Sequence, residues 1–185
     1  MAVLMFPDNT VLVNFAIINR MDLLSRLVRQ NGRWCATVAR ECERSANVPG
    51  LAALDDAGEI FGDPLFPEPA ELQDTIIIRN ELAGPGDGPY QHLGEAETLA
   101  IVTRRRLTCF FATDDAEAAR LAAKNKIQTA DTWRLLSLAY RQGWLDADTF
   151  WGYVQTIRGQ GRRGPRGVSD RQSFDKWLPS RPAPA

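Results

Sequence analysis

Ala-Val-Leu-Met-Phe-Pro-Asp-Asn-Thr, residues 2–10, decides the fold class. Residues 2–6 are all apolar and are closed by Pro7, a run whose length favours a buried strand over a helix. Asp8, Asn9 and Thr10 follow, and each can cap a helix. Residues 11–19 then read as that helix.

Outward from this start, strand and helix signals alternate. Residues 21–30 read as a helix, Asn31-Gly32 as a turn, 34–36 as a short second strand and 37–46 as a helix. Residues 47–68 hold Pro49, Pro64 and Pro67 and read as irregular. Helices are expected at 70–82 and 92–106, with a Gly-Pro-Gly-Asp-Gly-Pro loop at 84–89 between them. A strand at 108–113, a helix at 114–125, a short strand at 126–129 and helices at 131–142 and 146–157 complete the pattern. Short strands alternating with helices imply an α/β fold with a parallel sheet covered on both faces. The organisation expected is one domain over residues 1–158 and a basic, Gly- and Pro-rich tail over 159–185 without periodicity.

Composition narrows the chemistry. The 185 residues carry a net charge of −1, which excludes a wholly basic nucleic-acid binder. Cys35, Cys42 and Cys109 lack C-x-x-C spacing, so neither a disulfide framework nor a structural zinc site is expected. A single histidine, His92, removes Ser-His-Asp catalysis and reads as a helix-start residue. No apolar run approaches the ~18 residues of a spanning helix and no secretory signal is read, so a soluble, cytoplasmic protein without membrane contact is expected. The reactive groups left are carboxylates.

Charge is unevenly placed. Residues 55–97 hold eleven acids against Arg79 alone, whereas residues 159–185 carry +4 from six bases and two acids. Arg158, Arg162, Arg163 and Arg166 form a cluster without an intervening acid, suited to gripping a phosphate backbone. In parallel sheets, sites lie beyond the carboxyl ends of the strands. Asp8 follows the first strand, and Asp114 and Asp115 follow the strand at 108–113. On the helix 92–106, Glu97 falls on the flank of the apolar stripe, roughly 60° from its centre at 100° per residue, and Glu95 falls nearly opposite. A carboxylate beside a buried stripe needs a partner or a cation, which points to Glu97 over Glu95. On the helix 37–46, Glu41 and Glu43 flank the apolar line symmetrically. Acids gathered without cysteine or histidine suit a hard cation such as Mg2+ or Mn2+ and metal-dependent phosphoryl chemistry.

These blocks resemble the PIN-domain family of metal-dependent nucleases, which includes the VapC-like toxins. Residues 2–15 are similar to its first strand and D-x-[ST]-x-L-I start, Glu41-Cys42 to its mid-chain glutamate, Gly94-Glu95-Ala96-Glu97 to a G-E-x-E variant of its third acidic position, and Thr113-Asp114-Asp115 to its T-x-D strand end. The four blocks stand in family order over roughly residues 1–145. The sequence departs from the family in a glutamate at the third position and in a long connection over 47–89. The resemblance implies a three-layer α/β/α sandwich and Mg2+- or Mn2+-dependent cleavage of single-stranded RNA. It implies Asp8, Glu97 and Asp115, with Asp114 beside them, as metal ligands, Glu41 orienting water or a second ion, and Thr10 bonding near the metal. It also implies an antitoxin protein as partner and a homodimer. The competing expectations are a phosphatase or phospho-acceptor centred on Asp8 and a non-catalytic PIN-like interaction module.

Overall fold

The computed structural model describes residues 3–179. Ala2 of the expected first strand and residues 180–185 of the expected tail, Arg181 included, lie outside the described residues. The fold is α/β, with three parallel strands and ten α-helices among the described residues. Strand β1 (Leu4–Pro7) pairs with β2 (Cys109–Ala112), and β2 with β3 (Gln128–Ala130), in the order β1-β2-β3. The register sets Phe6 opposite Phe111 and Phe111 opposite Thr129.

Strand alternation divides the core. Met5 and Ala112 point into an apolar cluster shared with helices α1 (Asn9–Ile17), α2 (Met21–Val28), α3 (Ala36–Ala46), α8 (Thr132–Arg141) and α9 (Ala147–Gly159). Phe6 and Phe111 point into a second cluster, with Leu82 of α5 (Pro69–Leu82), Leu99 of α6 (Leu93–Arg104) and Leu121 of α7 (Ala116–Lys124). Each face of the sheet is therefore covered by helices.

Three regions differ from the sequence reading. The strand expected at 34–36 shrinks to one bridge, Cys35 to Leu65, because α3 begins at Ala36. The stretch expected to be irregular, 47–68, contains a 3-10 helix (Ala52–Asp56) and α4 (Ala57–Phe61), which bury Leu54, Ala57 and Phe61. These turns are too short for a periodicity signal. The boundary expected at 158/159 falls inside α9, and the chain beyond it folds back onto the same core. Helix α10 (Arg171–Trp177) opens with a capping box between Asp170 and Ser173 and buries Phe174 completely. The Phe174 ring meets Phe150 edge-on at 5.3 Å and stands 5.9 Å from Trp177. Aromatic burial of this kind contributes about 1.5–3 kcal/mol per side chain, and it comes without desolvating Asp175 and Lys176, which stay exposed on the other face of α10.

Helix α6 has no solvated face over its first turns: every residue from Gly94 to Val102 is buried. One flank packs on α5, another on α3 and a third on the sheet cluster. This burial decides where its two glutamates point.

Candidate metal centre

The site is built at the carboxyl ends of the strands. Asp8 leaves β1 at the N-cap position of α1, and its N–H donates to Ala112 C=O at 2.7 Å, so the β1–β2 ladder fixes its position. Its side chain does not cap α1. It accepts instead from the Thr10 hydroxyl and, at 3.5 Å, from the Thr113 hydroxyl. The residue is 2% exposed. Burial raises the Asp8 carboxyl well above the usual range, and Glu95 pushes the same way against the Thr10 hydrogen bond, with Asp114 adding to the rise.

The end of β2 supplies two acids with different duties. Asp114 accepts from Thr132 N–H at 2.9 Å, Thr132 hydroxyl at 2.6 Å and Asn14 Nδ2 at 2.8 Å, tying β2 to α8 and α1. Both of its oxygens are occupied, so its first role is to brace the site. Asp115 caps α7 with Oδ1, accepting from Ala118 N–H at 2.8 Å, and turns Oδ2 toward His92. The Thr113 hydroxyl joins the two strand ends, reaching Asp8 while accepting from Asp115 N–H at 3.0 Å.

Helices α3 and α6 bring the glutamates. Glu41 is partly buried and Glu43 is exposed, which resolves the symmetry between them in favour of Glu41. Burial and then Asp8 push the Glu41 carboxyl up to about 7, against Arg44 and Arg40. Gly94 makes the approach possible, since a Cβ there would stand 2.9 Å from Glu41 Oε2 and 3.0 Å from Val38 Cγ2. On α6, the acid that faces Asp8, Glu41 and Asp115 is Glu95, and burial is the main cause of its raised carboxyl. Glu97 is also buried, but both of its oxygens bind Thr37, Oε1 from the N–H at 2.9 Å and Oε2 from the hydroxyl at 2.8 Å. Glu97, the acid expected at the site, serves as an N-terminal cap of α3 supplied from another helix, and the glutamate of α6 that stands beside His92 and Asp115 is Glu95. The wheel argument fails here because it presumes a solvated face, which α6 lacks.

His92 completes the group. His92, Glu95 and Asp115 offer ligand atoms that all lie within 4.8 Å of one another. An imidazole nitrogen with carboxylate oxygens is a donor set that fits a divalent ion. Among the acids, burial first and mutual repulsion second oppose this gathering, and a cation would offset both.

The arginines divide as well. Arg162 is half-buried, donates through Nη1 to Thr10 C=O at 3.3 Å, and faces Asp114 and Asp8. Arg162, Arg163 and Arg166 line a cleft of about 510 Å³ with Thr10, Asn14, Asp114 and Asp115. Arg158, expected beside them, is used to hold the turn, donating to Val168 and Ser169 carbonyls. No family model matches the chain, and no curated protein matches it.

Arg166 belongs to the arginine cluster the sequence shows, whereas the sequence reading sets Glu95 aside, takes His92 as a helix-start residue and gives Asn14 no role. The signal for Glu95 was present: residues 93–102 contain two acids among apolar and small residues, a pattern of a helix buried all round.

Proposed function

We propose that this protein is a metal-dependent endoribonuclease on a PIN-like three-layer α/β/α sandwich. One arrangement carries the reading: Glu95 and Asp115 come together with His92 beyond the strand ends, Asp8 and Glu41 are near enough to raise proton affinity within the group, and Arg162, Arg163 and Arg166 wall a cleft that Asp115 also lines. Acids that raise one another's proton affinity are held together by the fold, and arginines next to them supply the attraction a polyanion needs.

In this reading Asp8, Glu95 and Asp115 hold Mg2+ or Mn2+. Such an ion, when bound, lowers the pKa of a water and stabilises the leaving oxygen of a phosphodiester. Glu41, with its carboxyl raised to about 7, is the group that would orient such a water and take its proton. Thr10 and Thr113 fix the Asp8 carboxylate. Arg162 and Arg163 hold the flanking phosphates of single-stranded RNA. An antitoxin partner, a homodimer and a cytoplasmic setting come with the resemblance; no helix among the described residues is long and apolar enough to cross a membrane.

The test is cleavage of a fluorescent single-stranded RNA by the full chain with Mg2+ or Mn2+. Cleavage that stops on chelation and in Asp8→Asn supports the reading, and cleavage unchanged in that variant rejects the site. The second reading, a non-catalytic interaction module, draws on Arg162, which already offers Asp8 and Asp114 an internal counter-charge. Calorimetry with Mn2+ separates the two, since a dead site gives no carboxylate-dependent heat.

A further inference from the structure

We propose that His92 is a nitrogen ligand of the ion held by Glu95 and Asp115, and that it selects a first-row transition ion, Mn2+ over Mg2+. This rests on the metal-centre reading and adds the residue that chooses the ion.

The argument starts from backbone. His92 precedes α6 with a φ of 62°, a left-handed conformation uncommon outside glycine. Here it sets the ring at the mouth of the acidic group. Nε2 lies 3.2 Å from Asp87 Oδ2, and the same oxygen accepts the Gly84 N–H at 2.7 Å. A carboxylate accepts only, so Nε2 carries a hydrogen, and Nδ1 is the nitrogen left to face Glu95 and Asp115, where an ion would take the place of any proton on it. Metal-binding histidines are oriented in this way, with the second ring nitrogen donating to a carboxylate.

Nδ1 is buried and has no hydrogen-bond partner. It stands 3.7 Å from Glu95 Oε1 and 4.0 Å from Asp115 Oδ2. These separations are too long for hydrogen bonds. They are within what one ion can bridge, since two donors each roughly 2.1 Å from a common centre lie at most about 4.2 Å apart, and a small closing of the ring toward the carboxylates brings them to the ~3–3.5 Å of adjacent ligands. Nδ1, Glu95 Oε1 and Asp115 Oδ2 thus surround one point with three donor atoms and no hydrogen bond between the ring nitrogen and either oxygen. Mg2+ prefers oxygen ligands and keeps its waters, whereas first-row transition ions accept imidazole beside carboxylate.

The experiment uses the full chain with Mn2+ as the probe, followed by electron paramagnetic resonance and by competition with Mg2+. The wild type is expected to show ¹⁴N modulation from one coordinated nitrogen. It should also hold Mn2+ at least about tenfold more tightly than Mg2+. His92→Gln should lose the nitrogen signal and most of that preference, with an unchanged circular dichroism spectrum. Asp87→Asn should keep the nitrogen and weaken Mn2+ binding about 10-fold or more. Bound Mn2+ without nitrogen modulation in the wild type overturns the proposal, whatever the variants do. Glu95→Gln and Asp115→Asn separate the two levels. If both weaken Mn2+ binding but no nitrogen is seen, the centre stands and His92 is outside it. If neither alters binding, the metal-centre reading fails and takes this proposal with it.

Discussion

Thr37 gives both its backbone N–H, at 2.9 Å, and its hydroxyl, at 2.8 Å, to the carboxylate of Glu97. The start of α3 is thereby fastened to α6, and Glu95, two residues earlier, is the acid left for the site. Glu97→Gln should lower stability by about 1–3 kcal/mol, seen as a shift in denaturant midpoint, and leave Mn2+ affinity unchanged. Glu95→Gln should weaken Mn2+ binding without that loss of stability. The opposite pairing of results would return the ligand role to Glu97.

Asp8→Asn should reduce RNA cleavage on the order of 100-fold or more, because a fixed charge at the reacting centre is removed. Thr10 and Thr113 can still donate to the amide oxygen, so the fold should persist. Single-turnover cleavage and circular dichroism of the same preparation measure both halves.

Stability without divalent ions should fall as pH rises from 5 to 8. Asp8, Glu41 and Glu95 have raised carboxyls, chiefly through burial. A raised carboxyl stabilises the fold fully below its unfolded pKa of about 4, and this is lost as pH climbs through the folded value, about 7 for Glu41. Glu71, held low chiefly by Arg105, runs the other way: it stabilises above the unfolded pKa and loses that contribution only in stronger acid. Thermal scans should show Mn2+ raising the melting temperature more at pH 8 than at pH 5, and Glu41→Gln flattening the slope. A metal-free melting temperature that climbs steadily to pH 8 would refute this account.

Phe174→Ala should cost about 3–5 kcal/mol, because the side chain is fully buried among Phe150, Trp151 and Trp177. Arg162→Gln should leave the melting temperature near that of the wild type and weaken RNA binding. In fluorescence anisotropy with EDTA, the slope of log affinity against log salt should shrink by about 0.7–0.9. An unchanged slope would remove Arg162 from the phosphate contacts.

Gly94→Ala should reduce cleavage through geometry alone. The added methyl would meet Glu41 Oε2 at 2.9 Å and Val38 Cγ2 at 3.0 Å, so Glu41 must shift. A crystal structure of the variant, compared with its cleavage rate, checks the link.

The parallel sheet was legible because its strands are short apolar runs followed at once by caps, as in Met5-Phe6-Pro7-Asp8 and Phe111-Ala112-Thr113-Asp114. Asp8 and Asp115 were legible for the same reason, since a strand end fixes where the next residue goes. The choice between Glu95 and Glu97 was not, because it depends on what covers α6 from three sides. His92 gave no sign, since its partner Asp87 comes from a glycine-rich loop whose path sequence does not set. The docking of α10 was hidden by its charges, although Phe174 and Trp177 carried the packing.

Leu4 lies opposite Cys109, and the Thr113 hydroxyl reaches Asp8 across 105 residues of chain. Pairing so remote is slow to form, since the intervening polypeptide must first be brought to closure. A ribosome releases Asp8 early and Asp115 much later, with Arg162 later again. If the cleft cuts RNA as proposed, a growing chain cannot do so until Arg162 has emerged, so nearby RNA meets no finished cleft before then.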